Sequence, residues 1–523
     1  MRTSRCPSTI SPPLPQFPKL SARSLMIQGT GSHVGKTVMV AALCRIFAQD
    51  GHRVAPFKAQ NMALNSYVTW DGKEIGRAQA VQAQAAGIIP TVLMNPILIK
   101  PNTDTSAQVI VMGIPIGDID AREYGKNRAE LMPVIADAYA QLSKDYDVVI
   151  IEGAGSPAEI NLRDRDIVNM DVAEMANAPV LLVGDIDNGG VFAWFVGTLQ
   201  LLSPDERDRV CGFIINKFRG DRDLLQSGLD FLERKTGKKV FGVIPYFRDI
   251  AIPEEDSLQG RLERGVVKKD DVCVRVGILE LPHISNFTDF DPLDAEPDVR
   301  VQYMSRPEEL SGIDALIIPG TKNTIGDLEY LYEFGFAERV CQLALRGATI
   351  IGICGGYQML GQRIEDPHCT ESAREAIQGL GLLDVETSLA KEKTTLQVEG
   401  MCVLNGTRVH GYEIHHGETI LQGRAEPFFT AVRRQDVDCS TPRSHAHDGA
   451  RTADGKIWGT TIHALFENFA FRRAVIDDLR RAKGLTPRSD ATDVWNLDQE
   501  YNKLAELVRA HLDLDAVGAL LRK

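Results

Sequence analysis

The chain has 523 residues, 44% hydrophobic and 25% charged, with a formal net charge of -13, a balance typical of soluble globular proteins and a length beyond what one hydrophobic core supports. The acidic excess argues against a nucleic-acid partner, whose phosphates demand clustered Lys and Arg. No apolar run approaches the roughly 18 residues needed to span a bilayer, so no membrane insertion is expected, and nine cysteines scattered without a CxxC pair fit a reducing cytoplasm.

Residues 1–24 carry Pro7, Pro12, Pro13, Pro15 and Pro18 among serines, with no acidic residue and no periodicity; a disordered extension is expected. From Leu25 onward, short apolar runs alternate with helix-length amphipathic stretches: Val54 to Lys58, Val148 to Glu152, Val180 to Asp185, Val210 to Asn216 and Val240 to Pro245. That alternation predicts buried parallel strands in an α/β domain over 25–247. The charged stretch 248–271 lacks such a run and reads as a linker. A second α/β series, expected over 272–523, begins at Val274–Leu279 and continues with Ala315–Pro319 and Thr349–Cys354. Beyond about Phe471 the chain is helix-like and is expected to pack on this second domain.

In the first series, Leu25-Met26-Ile27 runs into Gly29-Thr30-Gly31-Ser32-His33-Val34-Gly35-Lys36-Thr37, and Val38 to Leu43 continues as a helix. This is the strand, loop, helix context of a P-loop. The backbone of Gly29, Thr30, Gly31 and Gly35 and the helix N-terminus would hold nucleotide phosphates, Lys36 would neutralise the transferred phosphoryl, and Thr37 would ligate Mg²⁺. Five residues separate Gly29 from Gly35, one more than in the common motif, and the longer loop resembles dethiobiotin synthetase and its relatives. Glu152, at a predicted strand end, is a candidate second Mg²⁺ ligand, the alternative being a solvated carboxylate. Asp164 and Asp166, in Arg163-Asp164-Arg165-Asp166, are candidates for the same synthetase site, with a solvated charged face as the alternative.

In the second series, Gly352-Ile353-Cys354-Gly355-Gly356 has the small-x-nucleophile-x-small pattern of a nucleophile elbow, here with a thiol. The following helix N-terminus would lower the pKa of Cys354, and the Gly355 N–H could donate to an oxyanion. Gly320, in Pro319-Gly320-Thr321, is placed for a second donor if that strand end lies beside the elbow. The base such a thiol needs is expected at His463, in Trp458-Gly459-Thr460-Thr461-Ile462-His463-Ala464. The other eight cysteines read as inert hydrophobes.

Several long strings resemble glutamine-hydrolysing adenosylcobyric acid synthases, between about Met26 and about Asn468. They are Lys58 to Ser66, Arg77 to Ala83, Met94 to Pro101, Glu152 to Leu162, Asp185 to Ala193, Gly352 to Gly361 and Gly411-Tyr412-Glu413-Ile414-His415. The resemblance implies a P-loop synthetase domain of the dethiobiotin-synthetase type followed by a class I-like glutamine amidotransferase domain. It implies ATP-dependent amidation of the b, d, e and g carboxylates of a corrinoid, adenosylcobyrinic acid a,c-diamide, with glutamine as nitrogen donor. It further implies Cys354 as nucleophile, His463 as catalytic histidine, Lys36, Thr37 and Glu152 at the ATP and Mg²⁺ site, and Asn216 beside the adenine. Assembly into a homo-oligomer is compatible with this reading.

Typical glutaminases of this class place a glutamate two residues after the histidine, where Leu465 stands here, and Glu467 is the nearest substitute. Two other readings compete. Cobyrinic acid a,c-diamide synthase has a similar plan but lacks the Lys58 to Ser66 string; a partitioning or septum-site ATPase would need neither Cys354 nor His463.

Overall fold

The computed structural model describes residues 22–102, 106–120, 128–163, 166–253, 273–372, 374–434 and 447–522. The expected extension lies outside them up to residue 21 and the expected linker from residue 254. Ala22 to Ser24 do not belong to an extension, because the first strand already runs from Arg23 to Gly29.

That strand, β1, is central in a six-stranded sheet with β2 (Val54–Phe57), β3 (Val148–Glu152), β4 (Val180–Asp185), β5 (Val210–Phe218) and β6 (Lys239–Pro245). The order across the sheet is β6-β5-β4-β1-β3-β2 and every pairing is parallel. Both faces are buried: Leu25 and Ile27 enter one core layer, Met26 the other. This is why these strands read as unbroken apolar runs rather than alternating ones. Helix α1 (Lys36–Gln49) follows the phosphate loop and covers one face.

The chain between β2 and β3 forms a hairpin of Ser66–Val68 with Glu74–Gly76, then helix α2 (Arg77–Ala85) and a small four-stranded sheet that includes Ile97–Pro101. The second domain grips this hairpin. Ser66 N donates to Asn286 Oδ1 at 3.1 Å, Phe287 N to Asn65 Oδ1 at 3.2 Å, and the Tyr412 hydroxyl to Ser66 O at 3.2 Å. Glu74, fully buried, is held by Lys100 of its own domain at 2.9 Å and by Lys393 of the other at 2.6 Å.

The second domain has a parallel core of β7 (Val274–Leu279), β8 (Val299–Met304), β9 (Ala315–Ile318), β10 (Thr349–Ile353) and β12 (Ile457–Thr460), ordered β8-β7-β9-β10-β12. Antiparallel strands extend it beyond β12, and among them β11 (Arg408–Leu421) pairs with the two-residue β13 (Ile462–His463). Helix α3 (Gly355–Leu360) leaves β10, and α4 (Phe469–Ala482) buries Phe471, Ile476 and Leu479 against the β7–β10 layer.

The last two helices correct the expectation from sequence. α5 (Leu497–His511) and α6 (Leu514–Leu521) return to the first domain, where Leu504, Val508, Leu512 and Val517 join the core layer of Leu25 and Ile27. Each such buried side chain contributes about 1.5–3 kcal/mol. Arg45 of α1 pairs with Asp498 of α5 at 2.7 Å. Helical periodicity shows which face of a helix is apolar, not which of two sheets it covers.

Candidate active site

Two sites form at the C-terminal edges of the two parallel sheets. At the first, β1 ends in Gly29, where a Cβ would stand 2.7 Å from Val34 Cγ2 and 2.8 Å from Gly31 O; only glycine lets the loop close on itself. Gly35 has φ +98°, and a Cβ there would collide with the Asn216 side chain. The Asn216 amide donates to Val34 O at 2.9 Å. Asn216, expected beside the adenine, thus uses one of its two N–H groups to brace the loop. Lys36 Nζ folds back to Gly31 O at 2.8 Å and Gly155 O at 3.2 Å. Thr30 Oγ1 is buried without a hydrogen-bond partner among the described residues, so the loop presents an unspent hydroxyl to a ligand with acceptor oxygens.

Glu152 is buried, with 1% of its surface exposed, which removes the solvated alternative. Its Oε1 accepts from Thr37 Oγ1 at 2.9 Å and Lys58 Nζ at 3.0 Å, and its Oε2 from Gln82 Nε2. A hydroxyl and a carboxylate oxygen side by side are the hard donors Mg²⁺ prefers, so these residues fit that ion. Asp164 lies outside the described residues. Asp166 is not poised toward a substrate: Oδ1 accepts from Val168 N at 2.9 Å and Asn169 N at 2.8 Å, and Oδ2 from Met170 N at 2.8 Å. It caps the short helix Met170–Met175, a use of short acidic side chains that competes with any outward role.

At the second site, Cys354 ends β10 with φ 50° and ψ -111°, a backbone that costs a non-glycine residue about 1–3 kcal/mol. Its neighbours make it possible. A Cβ on Gly352 would meet Gly356 O and Tyr357 Cα at 2.7 Å, and one on Gly356 would collide with Ile318 O. Cys354 Sγ donates to Ile414 O at 3.6 Å and is hydrogen-bonded to His463. His463 Nδ1 lies 2.6 Å from Asp289 Oδ2, and Asp289 Oδ1 accepts from Ala464 N at 3.1 Å. With Nδ1 engaged, Nε2 is the nitrogen left for the sulfur. Tyr412 stacks on the imidazole with ring centroids 5.4 Å apart and planes 18° off parallel.

The electrostatics follow from these contacts. Burial pushes the Cys354 thiol up, but the hydrogen bond and charge of His463, the charge of His415 and the Gly355 N–H outweigh it, and the thiol falls below its ordinary value. Burial pushes His463 down, while Asp289's charge and hydrogen bond, with the sulfur, lift it to about 10. The pair therefore favours thiolate and imidazolium. Cys44, equally buried in α1, has no such neighbours, and desolvation drives its thiol upward.

Gly355 N–H faces the sulfur, and a Cβ on Gly355 would press on Thr321 Cγ2 at 2.7 Å. Gly320 adjoins the imidazole: a Cβ there would stand 3.0 Å from His463 Cε1, and its carbonyl accepts from Ser285 N at 2.9 Å. Glu467 does not orient His463. It pairs with Arg77 of the first domain at 2.7 Å, and the orienting carboxylate is Asp289, 174 residues before the histidine.

Four residues at these sites carry no role in the sequence reading. Lys58, Gln82 and Tyr412 do stand inside strings that bear the family resemblance, which was the available signal. Asp289 had none, because its use depends on a contact between distant segments.

A nucleotide loop and a thiol–imidazole–carboxylate array on one chain define a glutamine amidotransferase fused to a nucleotide-binding synthetase domain. Residues 25–258 match the CobQ/CobB/MinD/ParA nucleotide binding domain, and residues 275–471 the CobB/CobQ-like glutamine amidotransferase domain. The chain is 48% identical over 512 residues to a cobyric acid synthase of Thermoanaerobacter sp. (strain X514), covering 96% of this chain and 99% of that protein. It is 49% identical, over the same length and coverage, to the cobyric acid synthases of Caldanaerobacter subterraneus subsp. tengcongensis and Salmonella arizonae. The chain belongs to the cobyric acid synthase family.

Proposed function

We propose that the chain performs ATP- and glutamine-dependent amidation of the b, d, e and g carboxylates of adenosylcobyrinic acid a,c-diamide, a step of cobalamin biosynthesis. The observation that carries the reading is the Cys354–His463–Asp289 array, an arrangement a nucleotide switch has no use for, on the same chain as the Lys36, Thr37 and Glu152 cluster. A carboxylate resists nucleophiles because it is anionic and lacks a leaving group. Transfer of the γ-phosphoryl of ATP turns it into an acyl phosphate, from whose acyl carbon ammonia then displaces inorganic phosphate, leaving the amide. Lys36 leaves its loop carbonyls for the phosphate oxygens, Gly29, Thr30, Gly31 and Gly35 shape the loop around them, and Asn216 braces it. Thr37 and Glu152 would hold Mg²⁺, which neutralises phosphate charge when bound.

At the other site, Cys354 Sγ attacks the amide carbon of glutamine. His463 protonates the departing ammonia, and water, activated by the same imidazole, releases glutamate from the thioester. Asp289 holds the ring in the tautomer that aims Nε2 at sulfur. Gly355 N–H is a donor to the tetrahedral oxyanion, with Gly320 beside the imidazole as the second candidate. Asp166 positions the loop after Glu152 rather than touching substrate.

The test is mass spectrometry of the corrinoid diamide incubated with enzyme, ATP, Mg²⁺ and ¹⁵N-amide glutamine. Four successive acid-to-amide changes, each carrying ¹⁵N, are expected; two changes on the diacid precursor would instead identify a cobyrinic acid a,c-diamide synthase.

A further inference from the structure

Helix α2 touches both sites. At its first residue, Arg77 Nη2 donates to Glu467 Oε1 at 2.7 Å, four residues after His463, and its guanidinium stands 5.7 Å from the centre of the Tyr67 ring. Tyr67 in turn packs on Tyr412, the ring stacked on His463. Five residues later, about 7.5 Å along the axis, Gln82 Nε2 donates to Glu152 Oε2 and, at 3.4 Å, to Thr37 O.

Side chains on this helix also carry three buried polar atoms without a partner among the described residues: Arg77 Nε, Gln79 Nε2 and Gln82 Oε1. Their residues expose 3%, 0% and 0% of their surface. Buried polar atoms are rarely left unpaired, and each costs about 1–3 kcal/mol, so a run of them on one short helix asks for a ligand. Two donors engaged in turn, with one acceptor, match a small molecule with a single lone pair and several N–H groups. Between Cys354 and Arg77 lies an apolar cluster of Val68, Tyr412, Ile414 and Ala464 with Tyr67 against it, and Ile414 O is the acceptor for Cys354 Sγ.

We infer that ammonia passes from the thiol site to the phosphate site along α2, with Arg77 Nε and then Gln79 Nε2 donating in turn to its lone pair and Gln82 Oε1 accepting its N–H. This rests on the two-site reading above and gives it a route. The apolar cluster excludes water at the entrance, and desolvation there disfavours charged ammonium while admitting the neutral molecule. Glutamate, bulky and anionic, cannot follow.

Two substitutions in the full-length enzyme test it. Gln79→Leu removes one donor at similar volume; Arg77→Lys removes the Nε donor and keeps a cation opposite Glu467. Glutamate released per amide formed is measured with glutamine as donor, and each half-reaction is measured alone, as glutamine hydrolysis and as amidation from added ammonium. Wild type should release one glutamate per amide. In the variants the ratio should rise about five-fold, the rate equivalent of one lost hydrogen bond, with both half-reactions near wild type. Unlabelled ammonium should then dilute ¹⁵N from labelled glutamine in the product. A ratio that stays at one in both variants overturns the route, whether the half-reactions hold or fall together; a parallel fall would make α2 only a support. Failure of the underlying reading looks different, since wild type itself would then form no amide from glutamine.

Discussion

The two reactive loops sit at equivalent places, each at the C-terminal end of a central parallel strand, yet they store their conformational demands differently. In the phosphate loop positive φ falls on His33, at 57°, and on Gly35, at +98°, where it costs almost nothing. Lys36 is held meanwhile by Gly31 O of the loop and by Gly155 O from the segment after Glu152, while Thr30 Oγ1 has no partner among the described residues. A ligand there exchanges partners. In the thiol loop the unfavourable backbone falls on Cys354 itself, and the imidazole is already gripped by Asp289 and Tyr412. A ligand there meets a site already set. Binding loops gain from exchangeable contacts, whereas a reacting atom gains from being held before the reaction begins.

The contrast is broken most severely at the sulfur. Cys354→Ala should abolish glutamine hydrolysis, a loss of about 10⁴-fold or more, while amidation from added ammonium persists at close to the wild-type rate. Parallel assays with the two nitrogen donors check this, and equal hydrolysis by wild type and variant would remove the thiol from the mechanism. The mirror experiment is Lys36→Met. Amide formation from either donor should fall about 10³-fold, as expected for losing a charge aimed at a developing phosphoryl transition state, and glutamine hydrolysis in the absence of ATP should remain.

How far each loop is legible in sequence follows the same division. Gly29 to Thr37 and Gly352 to Gly356 are contiguous, so the strand, loop, helix pattern exposes them, even though Asn216 and Ile318 O press on Gly35 and Gly356 from distant segments. The parallel strands are equally plain, since burial on both faces leaves runs such as Val148-Val149-Ile150-Ile151. What surrounds the loops is not local. Asp289 reaches His463 from an unremarkable turn, Asn216 braces a loop 182 residues away, and Leu504 settles on a sheet formed near the start of the chain. No periodicity encodes such choices. Asp166 is visible in the sequence as a charge, but its three backbone donors come from a turn that the sequence alone does not reveal.

A smaller effect sharpens the claim that the thiol site is pre-set. Because Asp289 and the Cys354 sulfur lift His463 against burial to about 10, the imidazolium persists up to that pH in the free enzyme, and glutaminase kcat/KM should decline only as pH rises through it. The acid limb, set by the lowered Cys354 thiol, should lie below that of an ordinary thiol. Asp289→Asn removes the negative charge that favours the protonated ring, so the pKa of His463 falls and the alkaline limb moves to lower pH. With the tautomer no longer enforced, kcat should drop about 10²-fold. Glu467→Gln, which touches Arg77 instead, should leave the alkaline limb where it is. A shift with Glu467→Gln and none with Asp289→Asn would reverse the assignment of the orienting carboxylate.

The least severe test separates the ring of Tyr412 from its hydroxyl. Tyr412→Phe keeps the face stacked on His463 and deletes only the hydroxyl's bonds to Ser66 O of the first domain and to Asn286 Nδ2 of its own. Removing one partner of buried polar groups costs about 1–3 kcal/mol, which should appear as an earlier midpoint in urea with an unchanged slope. Glutamine hydrolysis should stay within about two-fold, since the array of Cys354, His463 and Asp289 lies wholly inside the second domain and none of its hydrogen bonds is lost. Should kcat instead fall as far as in Asp289→Asn, the imidazole would owe its placement to the first domain's hairpin. The thiol site would then be assembled by the interface, and the difference between an exchanging loop and a pre-set one would disappear.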